Sequence, residues 1–152
     1  MMAFTAEMEE SKKEMDLKDQ EKHIRELAER DGRYAPEAFF FVTEAVGHTV
    51  YWIRNGELPE QNNGPRGDQA KGVFHVSGQE LLAGIRKLAY ERWGAMAPQV
   101  LRRWGVKRCE DFGEIVFAMV EDEKMQWRKR DCDRREDFAN GFDFDTAFAT
   151  LD

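Results

Sequence analysis

Apolar residues along this chain recur three and four positions apart, the spacing of one helix face rather than the alternation of a half-buried strand. Residues 1–17 mix Glu, Lys and Met without an apolar face and read as a polar, frayed or disordered lead-in. From Lys18 onward Ile24, Leu27 and Ala28 give a first helix one thin apolar edge. Asp31-Gly32 ends it, because glycine adopts the left-handed conformation in which many helices stop. Pro36 suits the first position of a second helix, along which Phe39, Thr43, Val46, Val50 and Ile53 recur until Asn55-Gly56. Phe40, Phe41, Tyr51 and Trp52 widen its apolar surface, so this helix is expected at the centre of the core.

Residues 55–72, rich in Gly and Pro and with almost nothing to bury, predict a long mobile loop. Val73 to Val76 reads as a short strand or an extended entry segment. Ser77 and Glu80 then have the spacing of a capping box, in which each side chain satisfies a backbone N–H near the other. Leu81, Leu82, Ile85, Leu88, Ala89 and Trp93 line one face of the helix that follows, and Gly94 stops it. Pro98 opens a short helix carrying Val100, Leu101 and Trp104, closed by Gly105. Phe112, Ile115, Val116, Met119 and Val120 predict another from about 110 to 123. Its acids Glu110, Asp111 and Glu114 lie in or near the first turn, where the helix dipole favours negative charge. Met125 to Arg130 alternates apolar and basic residues as an edge strand would, with a short helix as the alternative. The tail predicts turns and a last short helix capped by Asp143, strapped to the body by Phe138, Phe142, Phe144 and Phe148. The sum is a mostly α fold: a small single-domain helical bundle of about five helices over 18–152. A short β-strand or hairpin, and a winged-helix-like C-terminal half, stay open.

Composition supports one core and an unusually charged surface, with 41% hydrophobic and 35% charged residues among 152. The longest apolar run, Ala38 to Val42, is far short of the roughly 20 residues that cross a bilayer, and the acidic start is wrong for a secretory signal. No membrane association and a cytoplasmic location are therefore expected. The two cysteines, Cys109 and Cys132, are expected to stay reduced. Net charge is −7, but the C-terminal half is striped: +6 over 86–108, −6 over 110–123, +4 over 124–135 and −5 over 136–152. Stripes of opposite sign can neutralise each other within the fold or leave a basic surface for an anionic partner.

Several separate motifs occur in order: His75-Val76-Ser77-Gly78-Gln79-Glu80-Leu81-Leu82, Gly84-Ile85-Arg86, Leu101 with Trp104-Gly105-Val106, and Glu110-Asp111-Phe112-Gly113-Glu114-Ile115-Val116-Phe117. Arg33-Tyr34 before the Phe-rich helix belongs with them, as do Glu136-Asp137-Phe138, Phe142-Asp143-Phe144 and Ala147-Phe148. In these the chain, over about residues 20–150, resembles a family of short uncharacterised bacterial proteins largely restricted to Verrucomicrobia and Planctomycetes. The resemblance implies kinship and no particular activity. Residues 124–135 depart from the pattern, being more basic and holding Trp127 and Cys132.

Candidate chemistry is sparse. Cys109, Cys132, His23, His48 and His75 include no pair at metal-ligand spacing, so no metal site is read and no cofactor is expected. Ser77 lies in no nucleophile elbow, and helix capping accounts for it and Glu80. The glycines of Gly64 to Gly72 lack the GK[ST] ending of a phosphate loop. Glu110, Asp111, Glu114, Asp137, Asp143 and Asp145 serve helix starts and caps before they serve acid–base chemistry. Three helices before a basic strand-like segment imitate a winged helix-turn-helix, with Arg102, Arg103, Lys107, Arg108, Arg128, Lys129 and Arg130 available to phosphates. The third helix, however, carries six acids and no Lys or Arg, which a DNA groove would repel. Without a catalytic constellation, the first expectation is a noncatalytic protein-interaction or regulatory module, with aromatics such as Trp127 and Tyr34 beside arginines as interface anchors. Its candidate surface is Arg102, Arg103, Lys107, Arg108, Trp127, Arg128, Lys129 and Arg130. A nucleic-acid-associated protein using segments 102–108 and 124–135 is the alternative, and an enzyme whose site assembles only in three dimensions comes third.

Overall fold

The computed structural model describes residues 18–59, 76–122, 138 and 141–148. Among them the chain is mostly helical and contains no strand. The lead-in, most of the 55–72 loop, residues 73–75 and the basic segment 124–135 lie outside the described residues.

The first helix, α1, covers residues 18–31 and buries Ile24, Leu27 and Ala28, the thin edge its sequence offers. Gly32, at φ 75°, closes it by donating its N–H to the Ala28 carbonyl at 2.9 Å. α2 (Pro36–Arg54) starts on its proline as expected, but its core stripe is rotated from the one the large residues suggest. The fully buried positions are Ala38, Phe39, Phe41, Val42, Ala45, Thr49 and Trp52, whereas Val46, Val50 and Ile53 are half-buried and Tyr51 is exposed. The reason is the neighbour. At Gly84 of α3 (Gly78–Trp93) an added Cβ would stand 1.7 Å from Thr49 Oγ1. The small residues Ala45, Thr49 and Gly84 thus let the two backbones approach, and that contact sets the rotation of α2. Thr49 Oγ1 remains satisfied by the Ala45 carbonyl at 2.6 Å.

The capping box of α3 forms as its spacing predicts: Ser77 Oγ accepts from the Glu80 N–H at 3.1 Å, and Glu80 Oε1 accepts from the Ser77 N–H at 2.8 Å. A short 3-10 turn, Gly94–Met96, leads into α4 (Ala97–Arg103), so this helix begins just before Pro98. The next helix, α5 (Cys109–Glu121), packs against both α2 and α3. Phe112, Ile115 and Met119 are fully buried on it, and of its residues only Glu121 is exposed. A helix that reads a DNA groove needs an open face, so the burial of α5 adds a second obstacle to the winged-helix expectation.

α6 (Phe144–Ala147) is capped by Asp143, whose carboxylate accepts from the Asp145 N–H at 2.9 Å. Phe138, Phe144 and Phe148 are buried and Phe142 half-buried, so the strap forms. Phe144 packs on Phe112 with ring centroids 5.9 Å apart, and Phe138 lies so close to Gly113 that a Cβ there would meet its ring at 2.9 Å. Each fully buried phenylalanine contributes on the order of 1.5–3 kcal/mol. The described start of the loop is also anchored, with Glu57 and Leu58 N–H groups on the Trp52 carbonyl and Leu58 half-buried against the core. No helix among the described residues is long and apolar enough to cross a membrane.

Candidate interaction surface

The described half of the expected surface stands where α4 turns into α5, and the turn is fixed from within. Gly105, at φ 91°, donates to the Arg102 carbonyl at 3.0 Å, and Val106 donates to the Leu101 carbonyl at 2.9 Å. These two bonds with a left-handed glycine form a Schellman stop, and the residues at its two ends, Leu101 and Val106, are both buried in the core. The Trp104 carbonyl, left open at the helix end, accepts from the Ala35 N–H at 3.0 Å. That bond ties the corner to the turn between α1 and α2. Contact is close: a Cβ on Gly105 would lie 2.7 Å from the Arg33 carbonyl oxygen.

Two side chains complete this junction. Tyr34, 8% exposed, donates its hydroxyl to Asp111 Oδ1 at 2.7 Å. The other oxygen, Oδ2, accepts from the backbone N–H of Lys107 at 2.8 Å and of Arg108 at 3.3 Å. Burial, and then the hydrogen bond to Asp111, push the Tyr34 phenol well above its ordinary range, so it remains a neutral donor. The expectation of an exposed interfacial Tyr34 is therefore corrected: the residue is buried, its hydroxyl has found an acceptor in Asp111, and the ring serves the fold. Next to it Arg33 donates to Asp31 at 2.8 Å and to Glu114 at 3.1 Å. The Asp31 hydrogen bond, aided by Glu114, raises the Arg33 guanidinium further above its already high range.

Four basic residues project from this frame. Arg102, Arg103, Lys107 and Arg108 are all exposed. Arg102 donates to Asp145 of α6 at 2.6 Å, an exposed pair of the kind that contributes about 0–1 kcal/mol. The Arg103, Lys107 and Arg108 side chains make no ion pair among the described residues. Of the nearby acids, Asp111 is committed to Tyr34 and two backbone N–H groups and Glu114 to Arg33, while Glu110 makes no ion pair with these cations. Beside Arg102 lies an open groove of about 390 Å³, floored by Pro98, Phe144 and Phe148 and rimmed by Gln99, Arg102 and Asp145. The remaining expected members, Trp127, Arg128, Lys129 and Arg130, fall outside the described residues.

Other candidate groups are absorbed by the fold. Cys109 is buried, its thiol donates to the Phe142 carbonyl at 3.3 Å, and burial pushes its pKa up to about 11. Such a thiol is a poor nucleophile at neutral pH. His23 Nε2 lies 2.7 Å from Asp122 Oδ1, and Arg30 donates to Asp122 Oδ2 at 3.2 Å, so both fasten α1 to the end of α5. His48 packs against Trp52 in a tilted pair with ring centroids 5.2 Å apart. No group of three or more His, Cys, Asp or Glu among the described residues is placed to hold a metal ion.

The role of Asp111 goes beyond the helix-start acid that its position suggests. One signal for it was present: an acid at the third position of a helix can reach back to the N–H groups before the helix. Its bond to Tyr34, 77 residues away, had no sequence signal. No protein-family model, curated protein or solved structure matches the chain.

Proposed function

We propose that this chain is a noncatalytic protein-interaction module, working in the cytoplasm as part of a larger assembly and contacting an acidic polypeptide through the α4–α5 corner. The observation that carries this reading is the exposure of Arg103, Lys107 and Arg108 without ion pairs among the described residues, on a turn made rigid by the Tyr34–Asp111 junction. Cations held ready on a fixed frame attract an anionic surface without the cost of ordering a loop. Trp127, Arg128, Lys129 and Arg130, outside the described residues, are assigned to the same partner in this reading on their charge and aromatic character alone. Kinship with the Verrucomicrobia and Planctomycetes proteins belongs to it as well.

Nucleic acid is the competing anion. The overall charge of −7 and the acids of α5 oppose it, because phosphate affinity scales with the number of cations brought to the backbone. Titrating the pure protein against mixed DNA and RNA, and against Glu-rich peptides, at low and moderate salt separates the two. The proposal expects peptide binding that Arg103→Glu/Lys107→Glu/Arg108→Glu abolishes, and no nucleic-acid binding even at low salt. Nucleic-acid binding lost in the same variant would replace it with the alternative.

A further inference from the structure

α2 keeps one face uncovered. Its exposed residues Glu37, Glu44, Gly47, His48, Tyr51 and Arg54 fall within a single arc of the helix, with half-buried Phe40 among them. Tyr51 is 59% exposed, more than any other large hydrophobic residue among those described. Six of these positions, 37, 40, 44, 47, 51 and 54, are spaced alternately three and four apart and so form a single seam along the helix, apolar at Phe40 and Tyr51 and charged at Glu37, Glu44 and Arg54.

Gly47 adds a second observation. Glycine is the poorest helix former apart from proline, and here it occupies the middle of a 19-residue helix where an added Cβ would meet nothing within 4 Å. No contact among the described residues requires it. A bare backbone at mid-helix does allow a second helix to approach closely.

The charges state which helix that is. Glu37 lies in the first turn and Arg54 in the last, and neither makes an ion pair among the described residues. Set two copies of α2 antiparallel about a twofold axis midway between Glu44 and Gly47. Glu37 of each copy then faces Arg54 of the other, Phe40 faces Tyr51, and Glu44 faces Gly47. All three pairs are centred on one midpoint, as the self-complementarity of a twofold interface demands. The antiparallel arrangement also sets opposite ends of the helix dipoles side by side. Glu44, at the middle of the seam, already accepts from Arg92 of α3, so it enters the contact with its charge compensated. Arg25 lies over the Phe40 ring, 5.3 Å from its centroid, and borders the seam.

We infer that the exposed face of α2 is a self-association surface, pairing antiparallel with α2 of a second copy of this chain. One helix face covers less than the roughly 800 Å² per partner of a stable interface, so the dimer is weak and concentration-dependent. Sedimentation velocity of the full chain at rising concentration tests this. The wild type shifts from 17.7 kDa toward twice that mass. Glu37→Arg and Arg54→Glu each remain monomeric where the wild type pairs, and an equimolar mixture of the two recovers the dimer because unlike charges then meet at both ends. Gly47→Glu sets carboxylates against Glu44 and abolishes pairing, yet raises the melting temperature of the monomer by roughly 1–3 °C through better helix propensity. A wild type that stays at 17.7 kDa throughout, single variants that still pair, or a mixture that fails to recover the dimer would each overturn the inference.

Discussion

The α2–α3 contact and the α4–α5 corner bring together segments far apart in sequence, but by opposite means. At the first, small side chains let two helices close until Thr49 and Gly84 touch, and stability follows from apolar area removed from water. At the second, a buried phenol, one carboxylate and a few backbone N–H groups hold two turns in register. The packed contact tolerates no added volume and presents little to a partner. The corner uses Asp111 and Glu114 internally, and Arg103, Lys107 and Arg108 stay open to solvent. A rigid frame with free charges is suited to recognition in a way that a uniformly packed core is not.

Substitutions can pull the two regions apart. Phe112→Ala, in the fully buried centre of α5, is expected to cost about 3–5 kcal/mol in chemical denaturation, a large share of a typical domain's total. Gly84→Ala drives a methyl group into Thr49 and is expected to cost toward 3 kcal/mol, the upper end for overpacking. Tyr34→Phe leaves packing intact but removes the hydroxyl from Asp111, for an expected loss of about 1.5–3 kcal/mol. Local hydrogen exchange should quicken at the Lys107 and Arg108 amides, which share that carboxylate, more than along α3.

A pH series adds a smaller effect. The folded pKa of Cys109 lies above its ordinary 9.0, so its contribution is complete below that pH and falls as pH rises through about 11. Tyr34 acts in the same sense from its ordinary 10.0 upward. Stability measured by thermal melts is therefore expected to decline above pH 9, and Cys109→Ala should flatten the first part of the decline. The smallest effect belongs to the corner's surface. Neutralising Arg103, Lys107 and Arg108 together is expected to change stability by less than about 0.5 kcal/mol, since exposed side chains without partners contribute little.

Legibility in the sequence followed the same division. Periodicity located α1 through α5 and the Phe strap, and the Ser77–Glu80 spacing placed a capping box that formed as read. Local signals of that kind need only the residues within one or two turns. The rotation of α2 differs from the one its large apolar side chains predict, because the need for small Ala45 and Thr49 becomes visible only with Gly84 opposite. Tyr34 and Asp111 looked like an exposed anchor and an ordinary helix-start acid, since no rule of spacing connects residues 77 apart. The basic corner itself was legible as composition, from Arg102 to Arg108. That Arg103, Lys107 and Arg108 make no ion pair among the described residues was not, because that depends on where the neighbouring acids point.

The most direct test of the interaction surface is affinity capture from native lysate with the wild-type chain and with Arg103→Glu/Lys107→Glu/Arg108→Glu, both shown to melt at the same temperature. An interaction surface at the α4–α5 corner predicts acidic polypeptides retained by the wild type and absent from the variant. Recovery of the bait alone, or of the same proteins by both chains, would contradict it.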